Sequence, residues 1–264
     1  MASTLESKDS GVILGIESTA HTFSIGWVDG SGEPSPSVSA SITPKEGGIH
    51  PREAADHHVD CSGEIVEKAL SSPEFDTADI SAIAFSQGPG LGPCLRVGAS
   101  VARALAQRLE VPLVGVNHCV AHIEIGRQQC GVDDPVLLYV SGGNTQVISR
   151  LSGRYRVLAE TLDIGIGNML DKFGRKAGLE FPGGPKLEAL AEGPELEPLP
   201  YSVKGMDMAF SGLLTAALRK LADGMPLPRL AYAIQETAFA MACEVAERAL
   251  AHTGKTELVL GGGV

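Results

Sequence analysis

Pro135-Val-Leu-Leu-Tyr-Val140, then Ser141-Gly-Gly-Asn144, then Thr145-Gln-Val-Ile-Ser149, is the stretch that decides the fold. A short continuous apolar run predicts a buried strand. Ser141-Gly142-Gly143 predicts a small polar turn whose backbone amides can approach an anion, and Thr145 to Ser149 predicts the returning strand. The same pattern stands near the N-terminus. There Gly11-Val-Ile-Leu-Gly-Ile16 and Phe23-Ser-Ile-Gly-Trp-Val28 flank the polar turn Glu17-Ser-Thr-Ala-His-Thr22. Two such hairpins predict two lobes of similar design, placed at residues 11–134 and 135–264.

Helical periodicity extends this frame. Helices are expected over 51–70, where Pro51 suits a first turn, and over 96–109, 186–191 and 230–252. A further helix follows Asp163-Ile-Gly-Ile-Gly-Asn-Met-Leu-Asp171 and runs through Lys176. Strands are expected at 80–85, 112–116 and 256–260. Strands alternating with helices make this an α/β protein.

His118 and His122 lie between the two hairpins. A spacing of four puts both imidazoles on one helix face, about one turn apart, and Asn117 is placed to cap that helix. Histidines in such a pair are metal-ligand candidates. Cys119 follows His118 where a zinc protease would carry its glutamate, so the peptidase pattern is absent. One residue on from His118, Cys119 points off the histidine face and is read as structural. His57 and His58 are adjacent, hence about 100° apart on a helix. Together with His50 they are assigned a structural or interface role.

Composition excludes several classes. The chain has 264 residues, 44% hydrophobic and 20% charged, which is ordinary for a globular protein. No apolar run reaches membrane-span length, and the polar N-terminus, read as a tail, lacks a signal-peptide core. Five scattered cysteines without a Cys-x-x-Cys pair argue against a disulfide framework and for a reducing cytoplasm. A net charge of −11 argues against a generic nucleic-acid binder. Lys172, Arg175, Lys176 and Lys186 are the candidates for a local basic patch.

The two hairpins and the glycine turn Gly261-Gly-Gly-Val264 resemble the actin, sugar-kinase and Hsp70 superfamily, a two-lobed actin-like ATPase fold. The likeness narrows with Gly15-Ile-Glu-Ser-Thr-Ala-His-Thr22, Gly47-Gly-Ile-His-Pro-Arg-Glu-Ala-Ala-Asp-His-His58, Gln87-Gly-Pro-Gly-Leu-Gly-Pro93, Asn117-His-Cys-Val-Ala-His122, Tyr139-Val-Ser-Gly-Gly-Asn-Thr145, Asn168-Met-Leu-Asp-Lys172 and Phe210-Ser-Gly-Leu-Leu-Thr215. In this order they resemble the tRNA threonylcarbamoyladenosine transferase family, the catalytic subunit of the KEOPS complex, once described as a glycoprotease. Asn144 and the Gly-Ile-His-Pro-Arg-Glu stretch are similar to its archaeal and eukaryotic cytosolic branch.

The resemblance implies a cytoplasmic acyltransferase that moves a threonylcarbamoyl group from threonylcarbamoyl-AMP to the adenosine next to the anticodon, in tRNAs reading ANN codons. It implies one divalent ion, Fe2+ or Zn2+, on His118, His122 and Tyr139. Substrate and nucleotide contacts (ATP, AMP or threonylcarbamoyl-AMP) fall on Tyr139, Val140, Ser141, Gly142, Gly143, Asp171, Gly184 and Glu188. Asp171 and Glu188 are placed at the sugar hydroxyls, and no general base is identified. Implied partners are tRNA and the KEOPS subunits, among them a small atypical protein kinase and a dimerising small subunit; no membrane is implied. A further carboxylate ligand and an asparagine are implied after Val264, so the second lobe is expected to be incomplete. The rival readings are an actin-like or Hsp70-like ATPase, which does not need the histidine pair; a metal-dependent peptidase, which lacks its glutamate; and a non-catalytic scaffold.

Overall fold

A computed structural model describes residues 11–43, 49–193 and 195–264. The N-terminal stretch read as a tail, and Gly47 and Gly48 of the quoted motif, lie outside the described residues. The chain forms two compact units. The described residues of the first run from 11 to 118, and those of the second from 119 to 264. The division therefore falls between His118 and Cys119 rather than after residue 134.

In the first unit, β1 (Val12–Glu17) pairs antiparallel with β2 (Thr22–Val28), and β2 pairs antiparallel with β3 (Val38–Ser41). Helix α1 (Pro51–Leu70) leads to β4 (Ile80–Gly88), which returns parallel to β1. Helix α2 (Gly92–Leu109) leads to β5 (Leu113–Asn117), parallel to β4, giving the order β3-β2-β1-β4-β5. Leu14, Phe23, Ile25 and Ile83 fill the core, packed on Ile65 and Ala69 of α1 and on Ala102 of α2.

Helix α3 (His118–Cys130) follows β5 without a break. The second unit continues with β6 (Val136–Val140), β7 (Thr145–Leu151) and β8 (Arg154–Glu160), then α4 (Ile166–Lys176) and α5 (Gly183–Leu190). A two-residue ladder, β9 (Val203–Lys204) and β10 (Asp207–Met208), precedes α6 (Ser211–Ala222), α7 (Leu227–Thr253) and β11 (Leu258–Gly261). The sheet order is β11-β6-β7-β8, with β11 parallel to β6 and the other pairs antiparallel. Read as β8-β7-β6-β11, this repeats the β3-β2-β1-β4 arrangement of the first unit, strand direction included. Met169, Phe173, Leu187, Phe210, Leu213 and the inner face of α7 form its core.

Several elements depart from the sequence reading for physical reasons. Helix α2 begins at Gly92 rather than Arg96, because Pro93 fits a first turn. Helix α5 begins at Gly183 within what the sequence presents as a glycine-proline loop. Its Pro182 is the N-cap, and a Cβ on Gly183 would lie 3.0 Å from the Leu170 carbonyl oxygen, so glycine is what lets α5 close on α4. Strand β8 opens on arginines at 154 and 156, and its apolar run is only Val157-Leu158-Ala159, too short to signal a strand. It is joined to β7 by Ser152 and Gly153, both at positive φ (50° and 77°), the backbone that a two-residue hairpin turn favours. Among the described residues no helix is long and apolar enough to cross a membrane.

Candidate functional site

Helix α3 carries both candidate imidazoles, His118 at its first residue and His122 one turn later. His118 is the last residue of the first unit and His122 lies in the second; Asn117, read as a cap, is the last residue of β5.

In the first unit Glu17, at the end of β1, accepts a hydrogen bond from the backbone N–H of Thr19 at 2.6 Å and others from the hydroxyls of Thr19 and Ser86. Its Oε2 lies 3.2 Å from Nδ1 of His118. Burial raises the Glu17 carboxyl, but the hydrogen bonds of His118, Ser86 and Thr19 outweigh it and hold the group at about 2. A carboxylate on one ring nitrogen fixes the ring's orientation and tautomer, which is the usual outer-shell partner of a metal-binding histidine.

In the second unit His122 packs on Tyr139 of β6, ring centroids 4.9 Å apart. A Cβ on Gly261 at the end of β11 would come within 3.6 Å of the His122 ring. Tyr139 is 5% exposed. Imidazole and phenol are donor types that suit zinc or iron, and in the second unit His122 and Tyr139 bring one of each together. Among the described residues no group of three His, Cys, Asp or Glu could hold a metal. His50, His57 and His58 do not assemble into one. His58 is fully buried beside Phe23, centroids 5.6 Å apart, and His57 lies 3.8 Å from the Cys61 sulfur. Cys119 is buried, its sulfur 3.7 Å from Oε1 of Gln146, and burial pushes its thiol up, away from reactivity.

The turn after Val140 is closed internally. Ser141 N–H donates to the Asn144 carbonyl at 2.8 Å, and Asn144 N–H donates to the Ser141 hydroxyl at 3.1 Å. It is fixed to the first turn of α4 by Asn168 N–H on the Gly142 carbonyl at 2.9 Å, and by Ile166 N–H on the Thr145 hydroxyl at 3.0 Å. Glycines make this approach possible. A Cβ on Gly165 would lie 2.7 Å from Asn144 N, and one on Gly167 2.7 Å from Gly142 Cα. Gly142 and Gly143 themselves are exposed. A Cβ on Gly142 would meet nothing nearer than 3.8 Å, and one on Gly143 nothing within 4 Å. An exposed glycine turn at a helix N-terminus is an arrangement that receives phosphate.

The first unit repeats the motif in a closed form. Leu91 N–H donates to the Thr19 carbonyl at 2.7 Å, and Cβ atoms on Gly90 and Gly98 would strike Thr19 and Ser18. Ser18 and Thr19 are buried. Only the second turn presents open glycines.

Asp171 lies one turn along α4 from Asn168, and its Oδ1 accepts the Gly183 N–H at 2.8 Å. Burial raises its carboxyl above the usual value, against the opposing effects of Gly183 and Arg175. Gly184 rests on Leu170, and Glu188 is exposed on α5. The structure thus brings Ser141–Gly143, Asp171 and the start of α5 together along α4. The residues that the sequence reading missed are Glu17, Gly165 and Gly167. The Gly-x-Gly of 165–167, which spans the N-cap and first turn of α4, was the available signal; Glu17 carried none, standing 101 residues from His118. Two cavities, of about 390 Å³ beside Glu192 and Arg229 and about 220 Å³ beside Trp27 and Glu74, involve none of these residues.

Residues 36–264 match the family described as TsaD, tRNA N6-adenosine threonylcarbamoyltransferase. A protein of that name from Thermococcus sibiricus is 56% identical over 255 residues, 96% of this chain and 78% of that protein. A probable bifunctional tRNA threonylcarbamoyladenosine biosynthesis protein from Thermoplasma volcanium is 56% identical over 96% of this chain, which spans only 48% of it. The chain thus spans about half the length of such bifunctional relatives. Among solved structures, HypF of T. kodakarensis superposes with a TM-score of 0.67 at 16% identity, covering 97% of this chain and 42% of that one. Component A of (R)-2-hydroxyglutaryl-CoA dehydratase from Acidaminococcus fermentans gives 0.56 at 11%, covering 96% and 83%. At these identities the likeness is of fold alone, and the fold is the actin-like ATPase one that the paired hairpins predict.

Proposed function

The chain belongs to the tRNA N6-adenosine threonylcarbamoyltransferase family, and from that premise we propose that the whole protein transfers a threonylcarbamoyl group from threonylcarbamoyl-AMP to a tRNA adenosine next to the anticodon. In this transfer the adenosine exocyclic nitrogen bonds to the carbonyl carbon, the bond from that carbon to the phosphate oxygen breaks, AMP leaves, and the amine gives up a proton.

Each part of the site has a role in this reading. The Ser141–Gly143 turn and the start of α4 hold the phosphate and orient the donor, which lowers the entropy lost on reaching the reacting geometry. Asp171 and Glu188 take the sugar hydroxyls, with Gly184 leaving room beside them. His118, His122 and Tyr139 hold a divalent ion, Fe2+ or Zn2+, and Glu17 keeps the His118 ring in position. When bound, that ion supplies Lewis-acid polarisation of the threonylcarbamoyl carbonyl. No general base is assigned. The proposed setting is the cytoplasm, with tRNA as substrate and, as partners, KEOPS-type subunits that include a small atypical kinase and a dimerising small subunit.

The observation that carries the reading is that α3 bears two imidazoles four residues apart in a chain whose second hairpin turn is an open glycine cradle. An ATPase of the same fold needs the cradle but not the histidines. A peptidase needs a glutamate where Cys119 stands. The test incubates the full-length protein, its partner subunits and an unmodified tRNA with threonylcarbamoyl-AMP. AMP release matched one to one by modified adenosine is expected. AMP release without modified adenosine, or neither product, rejects the proposal.

A further inference from the structure

Helix α4 carries a cationic face in a chain of net charge −11. Helix α4 buries Ile166, Met169, Leu170, Phe173 and Gly174, an i, i+3, i+4, i+7, i+8 pattern. Its other side exposes Asn168, Lys172, Arg175 and Lys176. Residues 168, 172 and 176 lie one above another at successive turns, a line of about 12 Å. Its lower end is fixed, because Asn168 N–H holds the Gly142 carbonyl of the phosphate turn.

Direct ion pairs do not cover this face, although Arg175 acts at longer range on Asp171. Among the described residues, Lys172, Arg175 and Lys176 form no ion pair within 4 Å, whereas Lys186, the fourth cation of the sequence cluster, is held by Glu180 at 2.8 Å. The one carboxylate of α4 is Asp171, which is half-buried and turned to the Gly183 N–H. Three cations thus stand within five residues in a chain of net charge −11. A merely solvated helix end would be served by Arg175 and Lys176 alone, since favourable interaction with the helix dipole falls off within the last turn. Lys172 lies outside that turn and carries the charge toward the turn at Gly142.

We propose that the exposed face of α4 is the docking surface for the RNA phosphate backbone, with Lys172, Arg175 and Lys176 each meeting a phosphate and leading the strand toward the nucleotide turn. The proposal rests on the transferase reading only for the identity of the RNA as tRNA. It assigns these side chains to positioning and affinity, with no part in the chemistry.

The experiment uses the full-length protein and an unmodified tRNA transcript, and measures affinity across a salt series for the wild type and for K172Q/R175Q/K176Q. Neutralising three phosphate contacts is expected to weaken binding about tenfold or more near physiological salt and to flatten the slope of log K against log salt by about 2. AMP affinity and melting temperature should hold, because the buried face of α4 and its first turn are untouched. K172R/K176R, which keeps the charge, should bind as the wild type does. Unchanged affinity and slope in the triple variant overturn the proposal. So does a loss of tRNA binding that K172R/K176R shares, or competition by poly-glutamate that the triple variant does not relieve. Because binding is read without turnover, a protein that binds tRNA through α4 but transfers nothing rejects the transferase reading and leaves this surface standing.

Discussion

Glu17 Oε2 lies 3.2 Å from Nδ1 of His118, so the end of β1 reaches the first residue of α3. The carboxylate is held ionised by the hydrogen bonds that converge on it, and it reaches a histidine whose partner, His122, lies one turn further along α3. If the pair holds metal, Glu17 is its orienting group. Glu17→Gln keeps the size of the side chain and removes the charge. It should weaken metal affinity by about 10- to 100-fold, the usual consequence of losing an outer-shell partner, while His118→Ala and His122→Ala should abolish retention. Competition against a graded chelator measures this; unchanged affinity in Glu17→Gln would show the contact to be a local structural bond only.

The glycines at the second turn divide into two kinds, and substitution should separate them. Gly165→Ala places a methyl 2.7 Å from Asn144 N and 2.8 Å from the Gly142 oxygen, against backbone that cannot move aside. It should lower both melting temperature and AMP affinity. Gly142→Val adds its side chain where nothing lies nearer than 3.8 Å, so the fold should hold while AMP binding falls, because the space over the backbone is now occupied. Calorimetry on both variants distinguishes them. Normal AMP affinity in Gly142→Val would exclude the turn as the phosphate cradle.

Both hairpins were legible from the sequence because each is a strand, a small polar turn and a strand, signalled within a dozen or so residues by hydrophobic pattern and turn chemistry. The open turn at Ser141–Gly143 was equally legible. That the Ser18–Thr19 turn is closed was not, since its closure depends on the approach of Gly98 from α2 and of Gly90 from the loop before it. The histidine spacing on α3 was local and readable, whereas Glu17, Ser86 and His118 meet only through the parallel pairing of β1, β4 and β5. Strand β8 is not legible because it lies at a sheet edge, carries arginines at 154 and 156 and has an apolar run of only three residues, 157–159. Helix α6 has an amphipathic pattern of its own but lacks a capping residue at Phe210. Its cap comes from a distant residue, Asp163.

Asp171 presents a conflict between stability and binding. Burial raises its carboxyl above the usual value, so the folded state disfavours its charge, and this residue opposes folding increasingly as pH rises past the unfolded value. Asp171→Asn retains an oxygen for the Gly183 N–H at no charge. It should raise the melting temperature at neutral pH, with the gain shrinking on acidification, and should weaken binding of nucleotides through loss of a charge-assisted bond to the sugar. A melting temperature that falls at pH 7 would mean that the ionised carboxylate is net favourable in the fold.

Asp163 works in the opposite sense. Its Oδ1 accepts the N–H groups of Ile164 at 2.6 Å and Phe210 at 2.9 Å, and its Oδ2 accepts the Ser211 N–H at 3.0 Å together with the Ser211 hydroxyl. It thereby closes the N-terminus of α6 from outside the helix and ties that helix to the segment entering α4. Burial raises this carboxyl, but the bonds from Ser211, Phe210 and Ile164 outweigh it, and the group is held below its ordinary value. A lowered folded value means that the stabilisation is fully present above the unfolded pKa and is lost as pH falls through the folded one. Asp163→Ala should therefore destabilise the protein by about 1–2 kcal/mol at neutral pH, as for loss of a helix N-cap. The difference from wild type should narrow as both are titrated below the ordinary aspartate range. Denaturant melts at pH 7 and at successively lower pH measure this. A difference that stays constant with pH would show that the contribution of Asp163 comes from packing and neutral hydrogen bonds, and that its charge has no part in holding α6.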